Sequence, residues 1–241
     1  MVRSHARMET RLLLRNGEQL LIALIIPLMV LGGGLLAASR FDVALSDRPV
    51  DLLTPGVVAL AVMSTSFTSL AITTGFERRY GVLKRLGSSP LPRSGLLAGK
   101  VGAVLLVELL QLVVLGGAGL LLGWRPALSV AAVAGTVVVA LAGTSAFAAW
   151  GLFLAGTLRA EATLAAANLV YLLLMVGGAV VLPSTTYGPW GAALPWLPSG
   201  ALGDGMRDAL LLGVFPLGQV LVLTGWAAAG TFLASRTFRW E

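Results

Sequence analysis

The chain has 241 residues, 57% of them hydrophobic and 12% charged, with mean hydropathy +0.89 and a formal charge of +6. Soluble domains carry roughly 25% charged residues, so this chain has too little polar surface for a water-facing fold of its size, and the bilayer is the expected solvent. There is no cysteine, which excludes disulfides and thiolate metal sites, and the lone histidine, His5, cannot supply a histidine-based metal centre.

Residues 2–18 come first. Arg3, Arg7, Arg11 and Arg15 recur every four residues and form a slowly drifting stripe on one helical face, with Leu12, Leu13 and Leu14 adding apolar area. This predicts an interfacial amphipathic helix in the headgroup layer, although a basic tail that only sets orientation accounts for the same charges. The apolar run that follows is too long for a signal-peptide core, and no cleavage site stands out, so no cleavable leader is expected.

Six apolar runs then read as spans, at about 20–38, 56–74, 96–122, 127–154, 162–182 and 215–234. Each supplies the ~20 apolar residues that cross ~30 Å of hydrocarbon. The runs are continuous, so the prediction is an all-α membrane protein of six transmembrane helices, not a barrel of alternating strands. The third and fourth are long enough to tilt. Gly32–Gly34 and Gly116–Gly119 are read as points of close helix approach.

Span two is rich in hydroxyls, from Ser64 to Thr74, with Met63 and Phe67 among them. Glu77–Lys100, which follows, is the densest run of charge: Arg78, Arg79, Lys84, Arg85, Arg93 and Lys100 all fall there. Span three carries Glu108, an acid about 12 Å past Lys100 at ~1.5 Å per residue, with Gln111 on the same face. An acid at that depth faces protein or water, or is protonated. In span five, Asn168, Tyr171 and Met175 share a face. Residues 183–214 hold four prolines with Trp190 and Trp196, and predict an external re-entrant or interfacial helical element.

With both termini inside, 13 of the 17 basic residues fall in cytoplasmic segments; Arg40, Arg48, Arg125 and Arg207 fall outside. This matches the positive-inside rule. No internal repeat of the kind found in many secondary transporters is evident. No G-x-x-x-x-G-K-[ST] or H-E-x-x-H sequence occurs, so neither a phosphate loop nor a zinc-protease motif is expected. Energy for active transport would come from a partner or an ion gradient.

The segment ERRYGVLKRLGSSPLPRSGLLAGK resembles the loop after span two in the ABC-2 family of transporter membrane subunits. Glu77, Arg78, Gly81, Leu83, Leu86, Ser89, Pro90, Leu91, Gly99 and Lys100 match that pattern, while Arg79 stands where a second acid is usual and Val82 where a threonine is usual. LPWLPSGALGDGMRDAL, ending near Arg207, is similar to the family's external proline-rich element, and the basic N-terminal helix fits as well.

The resemblance covers nearly the whole chain and implies one transmembrane domain over 1–241. It implies a coupling helix at 77–86, where Glu77, Arg78, Arg79, Tyr80, Gly81, Lys84 and Arg85 meet a separate ATP-binding subunit. No cofactor is expected on this chain; ATP and Mg would sit on the partner. Two ATPase subunits and a second permease subunit, identical or homologous, would complete an exporter in the bacterial plasma membrane. Spans two and five border the central cavity of related exporters, which makes Met63, Phe67, Glu108, Asn168 and Tyr171 the candidate substrate path, although packing alone explains these residues equally well. The expected substrate is a hydrophobic or amphipathic small molecule such as a drug, an antibiotic or a lipid. A stand-alone proton-coupled transporter using Glu108 is the rival reading, and it leaves the loop match unexplained.

Overall fold

The structure is a computed structural model and describes residues 17–40, 47–82 and 93–237. The expected interfacial helix at 2–18 therefore lies almost wholly outside the described residues, as do Lys84 and Arg85. The described residues form helices and no strands. In chain order these are α1 (Gly17–Arg40), α2 (Pro49–Met63), a π-helical segment (Ser64–Ser69), α3 (Leu70–Arg79), α4 (Arg93–Leu121), α5 (Val130–Thr157) and α6 (Ala160–Gly177). Two 3-10 stretches (Ser184–Ala192 and Leu194–Trp196) lead to α7 (Pro198–Leu210) and α8 (Leu217–Thr237).

Among the described residues, six helical runs are long and apolar enough to cross a membrane, with α2, the π segment and α3 forming one run over Pro49–Arg79. That second span is the hub of the bundle, because every residue from Val50 to Met63 is buried. The outer helices turn large apolar side chains outward, Met29 and Leu36 on α1 and Leu217 and Leu221 on α8. Such a distribution suits a lipid solvent, in which packing and polar contacts hold helices together. Small residues supply some of the close approaches. A Cβ on Gly119 would lie 2.6 Å from Thr54 Cγ2, and one on Gly34 would lie 3.1 Å from Leu53 Cδ1, whereas Gly32, Gly33 and Gly117 face open space. The glycine runs thus matter at Gly34 and Gly119.

Three span boundaries depart from the hydropathy reading by five residues or more, one of them the end of span two, which runs to Arg79 past the expected Thr74. Span two begins at Pro49, seven residues before the apolar run. Arg48 Nε donates to Asp51 Oδ2 at 2.8 Å, and the Arg125 amide donates to Asp51 Oδ1 at 3.0 Å. An acid paired on both oxygens can thus sit in the first turn, where the helix dipole also favours it. Span five was expected to reach Leu182, but α6 ends at Gly177 and Ala179 adopts φ +56°. Ala179-Val180-Val181-Leu182 is apolar, so composition alone cannot show that this backbone has unwound.

The segment after span five does not lie flat on the bundle. Along α7 nearly every residue from Ser199 to Leu210 is buried. Leu202 packs at Gly143 of α5, and Gly205 packs at Val139 of α5 and Gln219 of α8. Trp190 and Trp196 are exposed.

Candidate functional site

The middle of span two is a π-helical segment, STSFTS. A π turn inserts one residue per turn and breaks the usual i to i−4 bonding, and such segments gather at functional sites. Hydroxyls suit this backbone because they can bond carbonyls that the helix leaves free; Ser66 Oγ donates to Val62 O at 2.6 Å. The widened turn presses on α5, where a Cβ on Gly151 would come 2.9 Å from Phe67 O. Phe67 meets Phe147 edge to face at 6.2 Å.

The opposite side of the π turn forms one wall of a cavity of about 360 Å³. Ser64, Thr65, Thr68, Ser69 and Thr73 give this wall its hydroxyl row. Asn168 and Tyr171 of α6 continue it, with the Tyr171 hydroxyl in hydrogen-bond reach of Ser64. The facing wall is apolar and is built by Ala23, Ile26 and Pro27 of α1 and by Ala103, Val104 and Val107 of α4. Thr68 Oγ1 is buried without a hydrogen-bond partner among the described residues. Gln111 joins the walls, accepting from Thr65 Oγ1 and donating to Ala23 O, both at 3.0 Å.

Of the five substrate-path candidates, the structure brings Asn168 and Tyr171 to this cavity. Met63 and Phe67 are buried in the core behind the π turn. Glu108 does not border the cavity. It is buried against α5, with Oε2 2.7 Å from Thr144 Oγ1, and that hydroxyl also lies 2.8 Å from Ala140 O. The one Thr144 proton can serve only one acceptor at a time, and Glu108 Oε1 has no partner among the described residues.

The loop base lies at one end of the cavity. Glu77 and Lys100 line it and pair at 2.5 Å. Arg78 Nη1 donates to Gly156 O at 2.6 Å and Nη2 donates to Leu158 O. Arg79 pairs with Glu161. Tyr80 stacks on Phe76 and lies under the Arg79 guanidinium. Gly81 has φ +68°, a conformation that favours glycine. Residues 77–79 are therefore the last turn of α3, and the helix stops there. Residues 83–92 lie outside the described residues.

At the other end of the bundle Arg207 is the buried centre. Its guanidinium donates to Val180 O at 2.9 Å, to Val181 O at 2.5 Å and to Asp204 Oδ1 at 2.9 Å, with longer contacts to Leu52 O and Ala179 O. It thereby pairs the carbonyls that α6 exposes where it unwinds, which would otherwise be costly to bury. A Cβ on Gly56 would stand 2.7 Å from Arg207 Nη2, so only glycine leaves the guanidinium room. Burial pushes the Arg207 pKa down to about 10 against the pull of Asp204, so the group stays charged at neutral pH. Burial raises the Tyr187 hydroxyl, which donates to Val176 O at 2.8 Å. Burial and the Asp204 charge raise Asp208, which accepts from Gln219 at 2.6 Å. The sequence pointed to Arg207 through its motif only. Gly156, Leu158 and Glu161 carried no sequence signal, because their role depends on which helix ends meet.

No curated protein matches the chain. A family model described as ABC-2 family transporter protein matches residues 48–235, which reach into every candidate span but the first. The protein is a multi-pass membrane protein that belongs to the ABC-2 transporter family.

Proposed function

We propose that this chain is the permease subunit of an ATP-driven exporter that moves a hydrophobic or amphipathic small molecule, drug-like or lipid-like, out of the cell. The observation that carries this reading is the cavity, which ends at the ion pair below the charged loop. One wall offers hydroxyls and an amide beside Leu70 and Ile72, and the facing wall is apolar apart from Lys100 at its end. An amphiphile fits such walls by laying its polar edge on span two and its apolar body against α1 and α4. The charged groups at the mouth are paired with each other, so an uncharged or zwitterionic headgroup suits the site better than a free ion. Glu108 is turned away toward Thr144, which favours this reading over a carrier that cycles a proton through Glu108.

The positive-inside bias supports a cytoplasmic position for the charged segment Glu77–Lys100, in a bacterial plasma membrane. There it would meet a separate ATP-binding subunit carrying ATP and Mg, two copies for a pair of permease subunits. The test is affinity purification of the tagged chain in mild detergent from cells that also express its neighbouring genes, followed by ATP hydrolysis assays on the product. Vanadate-sensitive hydrolysis that co-elutes with the chain is expected. Its absence, with export intact, would overturn the reading.

A further inference from the structure

At the end of α3, three consecutive residues engage three different helices. Glu77 pairs with Lys100 of α4. Arg78 donates to two carbonyls, Gly156 in the last turn of α5 and Leu158 just beyond it. Arg79 pairs with Glu161 in the first turn of α6. Successive residues on a helix point about 100° apart, so one turn can reach three neighbours only where it lies among them. The contacts differ in character. Glu77 and Lys100 are largely shielded from solvent, Arg78 takes carbonyls that a helix end leaves unpaired, and the Arg79–Glu161 pair is exposed and weak. The α5–α6 turn is two residues long, Leu158 and Arg159, so a hold on Leu158 is a hold on both helices. Just past this turn of α3 the backbone leaves the helical path, with φ +68° at Gly81.

We propose that Glu77 and Arg78 are positioning residues of a transmission joint that fastens the base of the segment after α3 to α4, α5 and α6 at once, with Arg78 as its centre. The proposal rests on the reading that a partner pushes on this segment, and it assigns these side chains to work within the chain, not to the partner's surface. Glu77 Oε2 and both Arg78 Nη groups already have partners within the chain. Movement of the segment then reaches the cavity wall through span two and α4, and reaches α5 and α6 through the Arg78 contacts. Without the joint, the same movement is absorbed at the end of α3.

The chain lacks cysteine, so paired spin labels can be placed through Val82→Cys and Thr157→Cys in the full chain reconstituted in lipid nanodiscs. A single narrow distance distribution is expected. Arg78→Gln is expected to broaden it at least twofold. Glu77→Lys is measured with a second pair, through Val82→Cys and Val101→Cys; it is expected to broaden that distribution, and adding Lys100→Glu is expected to narrow it again. In complexes with the ATPase subunit, Arg78→Gln is expected to leave subunit recovery within twofold of wild type while export per ATP falls about tenfold. Unchanged distances in Arg78→Gln and in Glu77→Lys would overturn the joint. Loss of subunit recovery without a change in distances would show a docking role and overturn it too. Failure of the unsubstituted chain to recover any ATPase would instead sink the exporter reading, and the distance measurement would still decide the joint. Thermal melting of each variant in detergent separates loss of the joint from loss of the fold.

Discussion

At the scale of single residues, Arg207 is the side chain on which the most backbone depends. It neutralises Asp204 and holds the carbonyls of Val180 and Val181. Arg207→Met keeps much of the volume but strands those acceptors and leaves a carboxylate without its cation. Breaking one side of a buried ionic cluster costs about 3–5 kcal/mol, so this variant should lose monodispersity in mild detergent and melt well below wild type. Asp208 gives the opposite prediction. Its folded pKa is raised, so the folded state prefers the protonated form, and the stabilisation present at low pH is lost as pH rises through the folded value. Asp208→Asn removes that loss and still accepts from Gln219. It should melt slightly higher than wild type at pH 7 and equally at pH 4, by less than about 1 kcal/mol because the group is only partly buried.

At the scale of elements, span two combines two roles that its sequence shows separately. Its apolar first half is the buried hub, and its hydroxyl-rich middle is a π-helical segment. Gln111 of α4 ties this segment to α1 through Thr65 and Ala23. Gln111→Leu removes both bonds. Side-chain hydrogen bonds between membrane helices are worth about 0.6–1.7 kcal/mol, so the variant should remain folded and melt a few degrees lower. It should also increase the accessibility of Thr68→Cys to a water-soluble maleimide, because α1 is no longer held across the cavity. That six helices are long and apolar enough to cross, and that 183–214 is not one continuous apolar helix, were legible from hydropathy and proline content. The π turn, the early start at Pro49 and the early stop at Gly177 were not. Each depends on a polar partner distant in sequence: Gln111 for the π turn, Arg125 for Asp51, and Arg207 for the carbonyls after Gly177.

At the scale of the whole molecule, the cavity and the loop base belong to one path, because Glu77 and Lys100 belong to both. Filling the cavity should therefore block transport without disturbing the loop. Thr68→Phe places a ring in the hydroxyl wall; export should fall at least tenfold while the distance between labels at residues 82 and 157 stays unchanged. Hydropathy and charge act along the chain and need no knowledge of neighbours, so the solvent, the number of candidate spans and the family resemblance were legible without coordinates. The sequence also marked Glu77–Lys100 as the segment that stands apart. Packing had to be seen before Glu77, Arg78 and Arg79 could be assigned to three helices, Asn168 and Tyr171 to the cavity with Glu108 turned away, and Arg207 to an unwound helix end. These are questions of which polar groups meet, and a polar group inside a membrane protein takes its meaning from its partner.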